Sequence, residues 1–182
     1  PDSAGIKLLL AVSGGVDSMV LLHLFHKTQK LHSMQLQVAC VHHGDSSDSA
    51  IQNFRDKSLD LVRQNCIQLN IPFQYKKLNS FTLSPTLTEV DSLKDKGNLS
   101  ESTYRQFRYD FFNEIIRDQK MDYLLTAHHM DDLIETRLMR LLRGVGTEGL
   151  VAMSPQKGLV VRPLLAFTKQ ELCQYANKNK IK

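Results

Sequence analysis

The sequence lacks most of the features that place a protein in a membrane, outside the cell or in a metal-binding class. No apolar run approaches the ~20 residues of a membrane-spanning helix, and the charged, apolar and small-residue regions of a secretory signal are missing. Tryptophan is absent, and the three cysteines (Cys40, Cys66 and Cys173) form no C-x-x-C pair. Neither a zinc knuckle nor a dithiol redox site is therefore indicated. We expect reduced thiols, a cytoplasmic location and no membrane partner.

Length and composition favour one globular domain. The chain has 182 residues, of which 42% are hydrophobic and 23% charged, which argues against disorder and coiled coil. Its net charge of +4 would suit a polyanionic partner without identifying one. Part of this charge comes from lysines near the carboxyl end, which the sequence predicts to be solvated surface residues: Lys169, Lys178, Lys180 and Lys182.

Apolar runs alternate with amphipathic segments along the chain. Short, unalternating runs predict buried strands at 6–12, 36–41, 72–78, 121–127 and 159–162. Helical spacing predicts helices at 16–25, 51–69, 100–119, 131–143 and 168–179. This order predicts the α/β class, a Rossmann-like parallel sheet with helices on both faces. Ligands of such sheets bind outside the carboxyl ends of strands, so the loops after the first, second and fourth strands are candidate sites.

The loop Ser13-Gly14-Gly15-Val16-Asp17-Ser18 joins the first strand to the first helix. Its glycines permit a sharp turn, and the helix that follows offers unpaired N–H groups to an anion. Asp17 would repel a phosphate unless a cation lay between them, so we infer Mg²⁺ with Asp17 as a ligand. No lysine follows the glycines, so this is not the GxxxxGK[ST] loop of P-loop NTPases. The alternative is a plain glycine turn in which Asp17 stabilises a helix end.

Two other patterns invite interpretations that their context does not support. Residues 144–149 match GxGxxG, but they follow a predicted helix, whereas a dinucleotide-binding fingerprint follows a strand. The pair His128-His129 precedes two aspartates, yet HExxH spacing and a third imidazole are missing. We therefore do not expect these histidines to bind zinc.

The loop at 13–18 resembles the SGGxDS signature of N-type ATP pyrophosphatases, the PP-loop superfamily. Further segments resemble the tRNA(Ile)-lysidine synthetase family: they are residues 41–44, 105–109, 127–136, 140–150 and 162–165. The resemblance extends from about residue 6 to 175, and the stretch from Ala127 to Gly149 distinguishes the lysidine family from its superfamily.

The resemblance implies a ligase that forms a C–N bond. ATP would adenylate the C2 oxygen of the wobble cytidine of tRNA(Ile) with a CAU anticodon, releasing pyrophosphate. Free L-lysine would then attack C2, and AMP would leave. ATP is the expected substrate and Mg²⁺ the expected metal, and a homodimer is compatible with the sequence.

The resemblance also implies which residues carry the reaction. ATP binding falls to Ala11, Ser13, Gly14, Gly15, Val16, Asp17, Ser18, His42 and His128. Asp132 and Glu135 lie at i and i+3 of one predicted helix and would bind lysine, assist its deprotonation or share the metal. Arg105 would offset charge at the phosphates or the activated base. The alternative for the two carboxylates is a helix start that the macrodipole favours.

We expect residues 1–182 to form one PP-loop catalytic domain. Residues 79–99, rich in Ser, Thr, Lys and Asp, are predicted to be a flexible insertion, because loops beyond about 12–15 residues are usually functional or mobile. Members of the resembled family continue into carboxy-terminal tRNA-binding domains, which we expect this chain to lack.

Two other functions stay open at this point. Another PP-loop enzyme that modifies tRNA, by 2-thiolation, would use cysteine pairs or an iron–sulfur cluster, and the cysteine spacing gives no support for either. A catalytically silent nucleotide- or RNA-binding module would bind ATP without releasing pyrophosphate.

Overall fold

The computed structural model describes residues 5–78, 100–144 and 153–181. The strands are β1 (Lys7–Ala11), β2 (Gln35–His42), β3 (Phe73–Lys77), β4 (Tyr123–Leu125), β5 (Gln156–Lys157) and β6 (Val160–Val161). The helices are α1 (Val16–Thr28), α2 (Ser49–Leu69), α3 (Glu101–Gln119), α4 (Met130–Leu142) and α5 (Lys169–Lys178). No helix within these three ranges has the length and apolar character needed to cross a lipid bilayer. The predicted insertion at 79–99 and most of the GxGxxG match lie outside the described residues.

The strands form one sheet in the order β3-β2-β1-β4-β6-β5, parallel except for β5. The predicted α/β class is therefore confirmed. The sequence does not predict β5, because its two residues, Gln156 and Lys157, are exposed and polar and carry no apolar pattern. They pair antiparallel with β6 through a turn at Gly158, whose φ of +58° suits glycine.

Successive side chains of β1 pack on opposite faces of the sheet. Leu8 and Leu10 belong to a core cluster that includes residues of α1, α2 and α5, whereas Leu9 packs with residues of α3. Because both faces of the strand are covered, its sequence is a continuous apolar run rather than an alternating one. The predicted placement of helices on both faces is confirmed.

The sheet order reverses beside β1. From β1 the chain passes through α1 to β2 on one side, and it returns much later to β4 on the other side. The connections after β1 and β4 therefore diverge at the carboxyl ends of two neighbouring strands. In open α/β sheets this switch point is where a ligand-binding crevice forms.

Candidate nucleotide-binding active site

The turn after β1 depends on Gly14. Its φ is +86°, and a Cβ at this position would lie 2.8 Å from the backbone oxygen of Ser58 in α2. The left-handed backbone and the close approach each disfavour a side chain. Gly15 differs, since its φ is −77° and the nearest neighbour of an added Cβ is the Ser13 Oγ at 3.7 Å. Two glycines that look alike in sequence thus have different structural requirements.

The amino-terminal end of α1 has no side-chain cap. In contrast, α2, α3 and α5 are capped by the side chains of Asp48, Ser100 and Thr168. The Ser18 hydroxyl is used within the turn, because it accepts a hydrogen bond from the Ser13 N–H (3.1 Å) and donates one to the Gly15 oxygen (2.8 Å). The first N–H groups of α1 are therefore left for an anionic ligand, which the helix dipole also favours.

A cavity of about 370 Å³ opens at the carboxyl ends of β1, β2 and β4, as the strand order predicts. Its walls include eight of the predicted site residues: Ala11, Ser13, Gly15, Asp17, Ser18, Arg105, His128 and Asp132. Gly14, Val16, His42 and Glu135 are not among its wall residues. We call this space the nucleotide cavity.

The two histidines at the end of β2 have separate environments. His42 is buried, and its Nε2 lies 3.0 Å from the Asp56 Oδ1 in α2. His43 lines the nucleotide cavity and packs edge-on against Tyr104, with ring centroids 5.0 Å apart. Burial above all, and then the nearby Arg108 and Arg55, lowers the pKa of His43, so its neutral form dominates at pH 7. The sequence favours both histidines as rim residues of the nucleotide site and assigns ATP binding to His42, whereas the structure places His43 in the cavity wall, because neighbours in an extended chain face opposite sides.

One wall of the nucleotide cavity is cationic and comes from α3. Arg105 and Arg108, one turn apart on this helix, both line the cavity together with Tyr109. The Arg105 guanidinium lies over the Tyr109 ring, 5.1 Å from its centroid. This stacking orients an exposed side chain towards the cavity.

The carboxylates of Asp17 and Asp132 both lie close to the same buried histidine, His129. The His129 Nε2 lies 3.7 Å from the Asp17 Oδ2 and 3.6 Å from the Asp132 Oδ2. The Asp132 Oδ2 also accepts a hydrogen bond from the His129 backbone N–H at 2.8 Å, which caps α4. Glu135 is exposed one turn further along α4. The structure therefore brings Asp132 into the cavity and leaves Glu135 outside it.

The carboxylates at this site could hold Mg²⁺ only together with oxygen atoms from a bound substrate. Within the described ranges, no group of three or more His, Cys, Asp or Glu is placed to hold a metal ion. Mg²⁺ is commonly bound by one or two carboxylates together with substrate phosphates. One of these carboxylates, together with the phosphates of a nucleotide, would therefore suffice for a Mg²⁺.

Lys169 connects three elements of the site. Its Nζ donates to both carboxylate oxygens of Asp17 at 2.7 Å, and its backbone N–H donates to the Asp131 Oδ2 at 2.9 Å. The first residue of α5 thus holds the turn after β1 and the start of α4. The Lys169 side chain is 44% exposed, as predicted for a surface lysine, but the sequence does not predict its ion pair with Asp17. The reason is that its partner lies 152 residues away in the chain, beyond any local pattern.

Replacing Lys169 by methionine should weaken ATP binding by roughly ten-fold or more, because a charge-assisted contact beside the expected phosphate site is lost. Isothermal titration with ATP measures the effect. Lys178→Met is the matched control, since Lys178 is exposed at the other end of α5. Equal ATP affinities of the two variants would show that the Lys169–Asp17 contact does not support the nucleotide site.

The PP-loop domain family matches residues 2–182 of this chain. The tRNA(Ile)-lysidine synthase of Petrotoga mobilis is 38% identical over 175 residues, which cover 96% of this chain and 51% of that protein. The tRNA(Ile)-lysidine synthase of Chlorobaculum tepidum is 36% identical over 180 residues, covering 97% of this chain and 49% of that protein. This chain therefore spans about half the length of these relatives.

Among solved structures, the U34-tRNA thiolase NcsA from Methanococcus maripaludis is similar, with a TM-score of 0.74 over 98% of this chain and 58% of that chain. The sequence identity is 21%, so this likeness shows the fold alone. The fold it shows agrees with the family match, and the predicted resemblance of the 13–18 loop is confirmed. Because that match covers nearly every residue, the chain belongs to the PP-loop domain family.

Proposed function

We propose that this chain carries the catalytic domain of a tRNA(Ile)-lysidine synthase. The names of its relatives support this function. The observation that carries the proposal is the position of the segment that resembles the lysidine family: its residues His128 and Asp132 line the nucleotide cavity. In that position they can reach a substrate bound next to ATP.

In the first step, the C2 oxygen of the wobble cytidine attacks the α-phosphorus of ATP, and pyrophosphate leaves. The uncapped N–H groups of α1 and the hydroxyl of Ser13 are placed to bind the phosphates. Arg105 and Arg108 supply positive charge to the same cavity. Preorganised donors of this kind stabilise the charge that develops on a leaving pyrophosphate. Mg²⁺, held by Asp17 together with the phosphates, would neutralise part of that charge.

In the second step, the side-chain amine of lysine attacks C2 of the adenylated cytidine. A C–N bond forms, the C2–O bond breaks, and AMP leaves with the oxygen. The lysine ammonium must lose a proton first, and the Asp132 carboxylate is positioned to bind the ammonium and assist that loss. Glu135 stays a prediction for this role, based on its i+3 spacing from Asp132 rather than on a place in the cavity wall.

The cysteines do not favour the 2-thiolation alternative. Cys40 and Cys66 are buried in the core, where burial raises their pKa values to about 12 and about 11. Sulfur chemistry needs a thiolate, which such environments disfavour. Cys173 is half-buried on α5, and no cysteine is a described wall residue of the nucleotide cavity.

Pyrophosphate release separates this proposal from a silent binding module. We expect the full-length protein to release pyrophosphate from ATP only when tRNA(Ile) with a CAU anticodon is present, as measured by a coupled phosphate assay. A tRNA(Ile) with a GAU anticodon is the control, because it offers no wobble cytidine. ATP binding without such release would support the silent module. A cytoplasmic location and a homodimer stay predictions.

A further inference from the structure

A second cavity of about 730 Å³ adjoins the nucleotide cavity. The two share Arg105 and His128, so these side chains form a common wall. The remaining described wall residues of the second cavity come from α4 and from the region of β5 and β6: Thr136, Arg140, Met153, Ser154, Lys157 and Arg162. Four of its wall side chains are cationic, and none of its described wall residues is acidic. The described part of its wall is therefore strongly positive.

Arg162, which directly follows β6, is the buried member of this cationic set. It is 9% exposed, and its Nη1 donates to the Ser154 backbone oxygen at 2.9 Å. Its backbone N–H donates to the Pro155 oxygen at 2.7 Å, so the residue is held at both ends. The guanidinium is thus fixed in place, and its buried Nε–H group is left without a hydrogen-bond acceptor among the described residues.

The charge of Arg162 also has no counter-ion in the part of the chain that the structure describes, since no carboxylate there lies within ion-pairing distance of it. Burying an unpaired charge costs free energy, and proteins normally offset that cost with an opposite charge. A planar guanidinium suits a phosphate, whose oxygens it can bind in pairs. A phosphate ligand would supply the missing charge.

We propose that the second cavity is a phosphate subsite for the RNA substrate, with Arg162 as its fixed cation and Lys157 at its exposed edge. This inference rests on the proposed function, because it assigns the cavity to a backbone phosphate beside the nucleotide that reacts.

Two observations favour an RNA phosphate over the phosphates of ATP. The uncapped end of α1 already offers an anion site at the nucleotide cavity. No residue of α1 lines the second cavity. The second cavity is also the larger of the two, at about 730 Å³ against about 370 Å³, so it has room for an RNA nucleotide while ATP occupies the nucleotide cavity.

The test uses Lys157→Gln in the full-length protein, because Lys157 is exposed and its replacement leaves the core intact. tRNA(Ile) binding is measured by filter binding over a range of salt concentrations. We expect affinity to fall several-fold and the slope of log K against log salt to decrease by roughly 0.7–1, as for one lost phosphate contact. Lys178→Gln makes the same charge change outside both cavities and should leave slope and affinity unchanged. Equal behaviour of the two variants would overturn the proposal.

A second pair of variants tests the buried cation. Arg162→Gln should weaken RNA binding by roughly ten-fold or more, and Arg162→Lys should recover part of that loss, since it keeps the charge without the planar fork. ATP affinity should stay within about two-fold of the parent in both, which also shows that the nucleotide site is folded.

If the variants weaken inhibition by inorganic pyrophosphate and leave RNA binding unchanged, the subsite serves pyrophosphate and the proposal is wrong. Because RNA affinity is the readout, the two proposals can fail separately: a parent protein that binds tRNA(Ile) but makes no lysidine would contradict the proposed function, while weaker RNA binding by the variants would still support the subsite.

Discussion

Replacing Asp132 by asparagine should lower lysidine formation by roughly 10²–10⁴-fold, the range associated with loss of a general acid–base group. The Asp132 carboxylate lines the nucleotide cavity, and the proposed function assigns it to binding the lysine ammonium. Asparagine keeps an oxygen that can accept the hydrogen bond from the His129 N–H, so the cap of α4 is retained. The substitution therefore removes the charge and leaves the local structure in place.

Glu135→Gln is the matched control for this prediction. It removes a carboxylate from the same helix, one turn away, at an exposed position outside the cavity wall. We expect less than about a ten-fold loss for Glu135→Gln, because no contact within the cavity is removed. Both variants should unfold at the temperature of the parent. Full activity of Asp132→Asn would refute the assignment of Asp132, and equal losses in both variants would indicate two equivalent carboxylates.

Replacing Gly14 by alanine should destabilise the protein and weaken ATP binding together. Forcing a residue with a Cβ to keep a φ of +86° costs about 1–3 kcal/mol. The new Cβ would also press against the Ser58 oxygen in α2, so the turn must shift. Because this turn positions the first N–H groups of α1, we expect ATP affinity to fall by roughly ten-fold or more.

Gly15→Ala provides the comparison, because it adds the same methyl group to the neighbouring residue. Gly15 has an ordinary extended backbone and ordinary contact distances, so its replacement should leave the free energy of unfolding within about 0.5 kcal/mol of the parent. Urea denaturation measures both values. Equal stabilities of the two variants would show that Gly14 is not required for the turn.

The sequence predicts an element well where the whole element is buried. β1 is covered on both faces, so its apolar run is continuous and identifies a central strand. The capping box of Thr168 and Glu171 at the start of α5 can also be read from the sequence, because it is made of contacts three residues apart. β5 is the exception, since it is exposed and its pairing with β6 leaves no apolar signature.

In the candidate site, too, the sequence predicts the features that local contacts form and misses those that distant segments form. The glycine turn is a local motif, so the sequence identifies it and the loop that contains Asp17. The pairing of Lys169 with Asp17 and the buried charge of Arg162 arise from contacts between distant segments. No spacing rule reveals such contacts, although Arg162 does lie in a segment that the resemblance includes. The same reason explains why Asp132 and Glu135 look equivalent in sequence and differ in the structure.

The most direct test of the proposed function is the incorporation of labelled lysine into RNA. Full-length protein is incubated with ATP, labelled L-lysine and tRNA(Ile) with a CAU anticodon, and the RNA is digested to nucleosides. We expect the label in one modified nucleoside at the wobble position, with one AMP and one pyrophosphate formed per lysine. Pyrophosphate release without lysine in the RNA would contradict the lysidine reaction and point to a different acceptor at the same adenylating site.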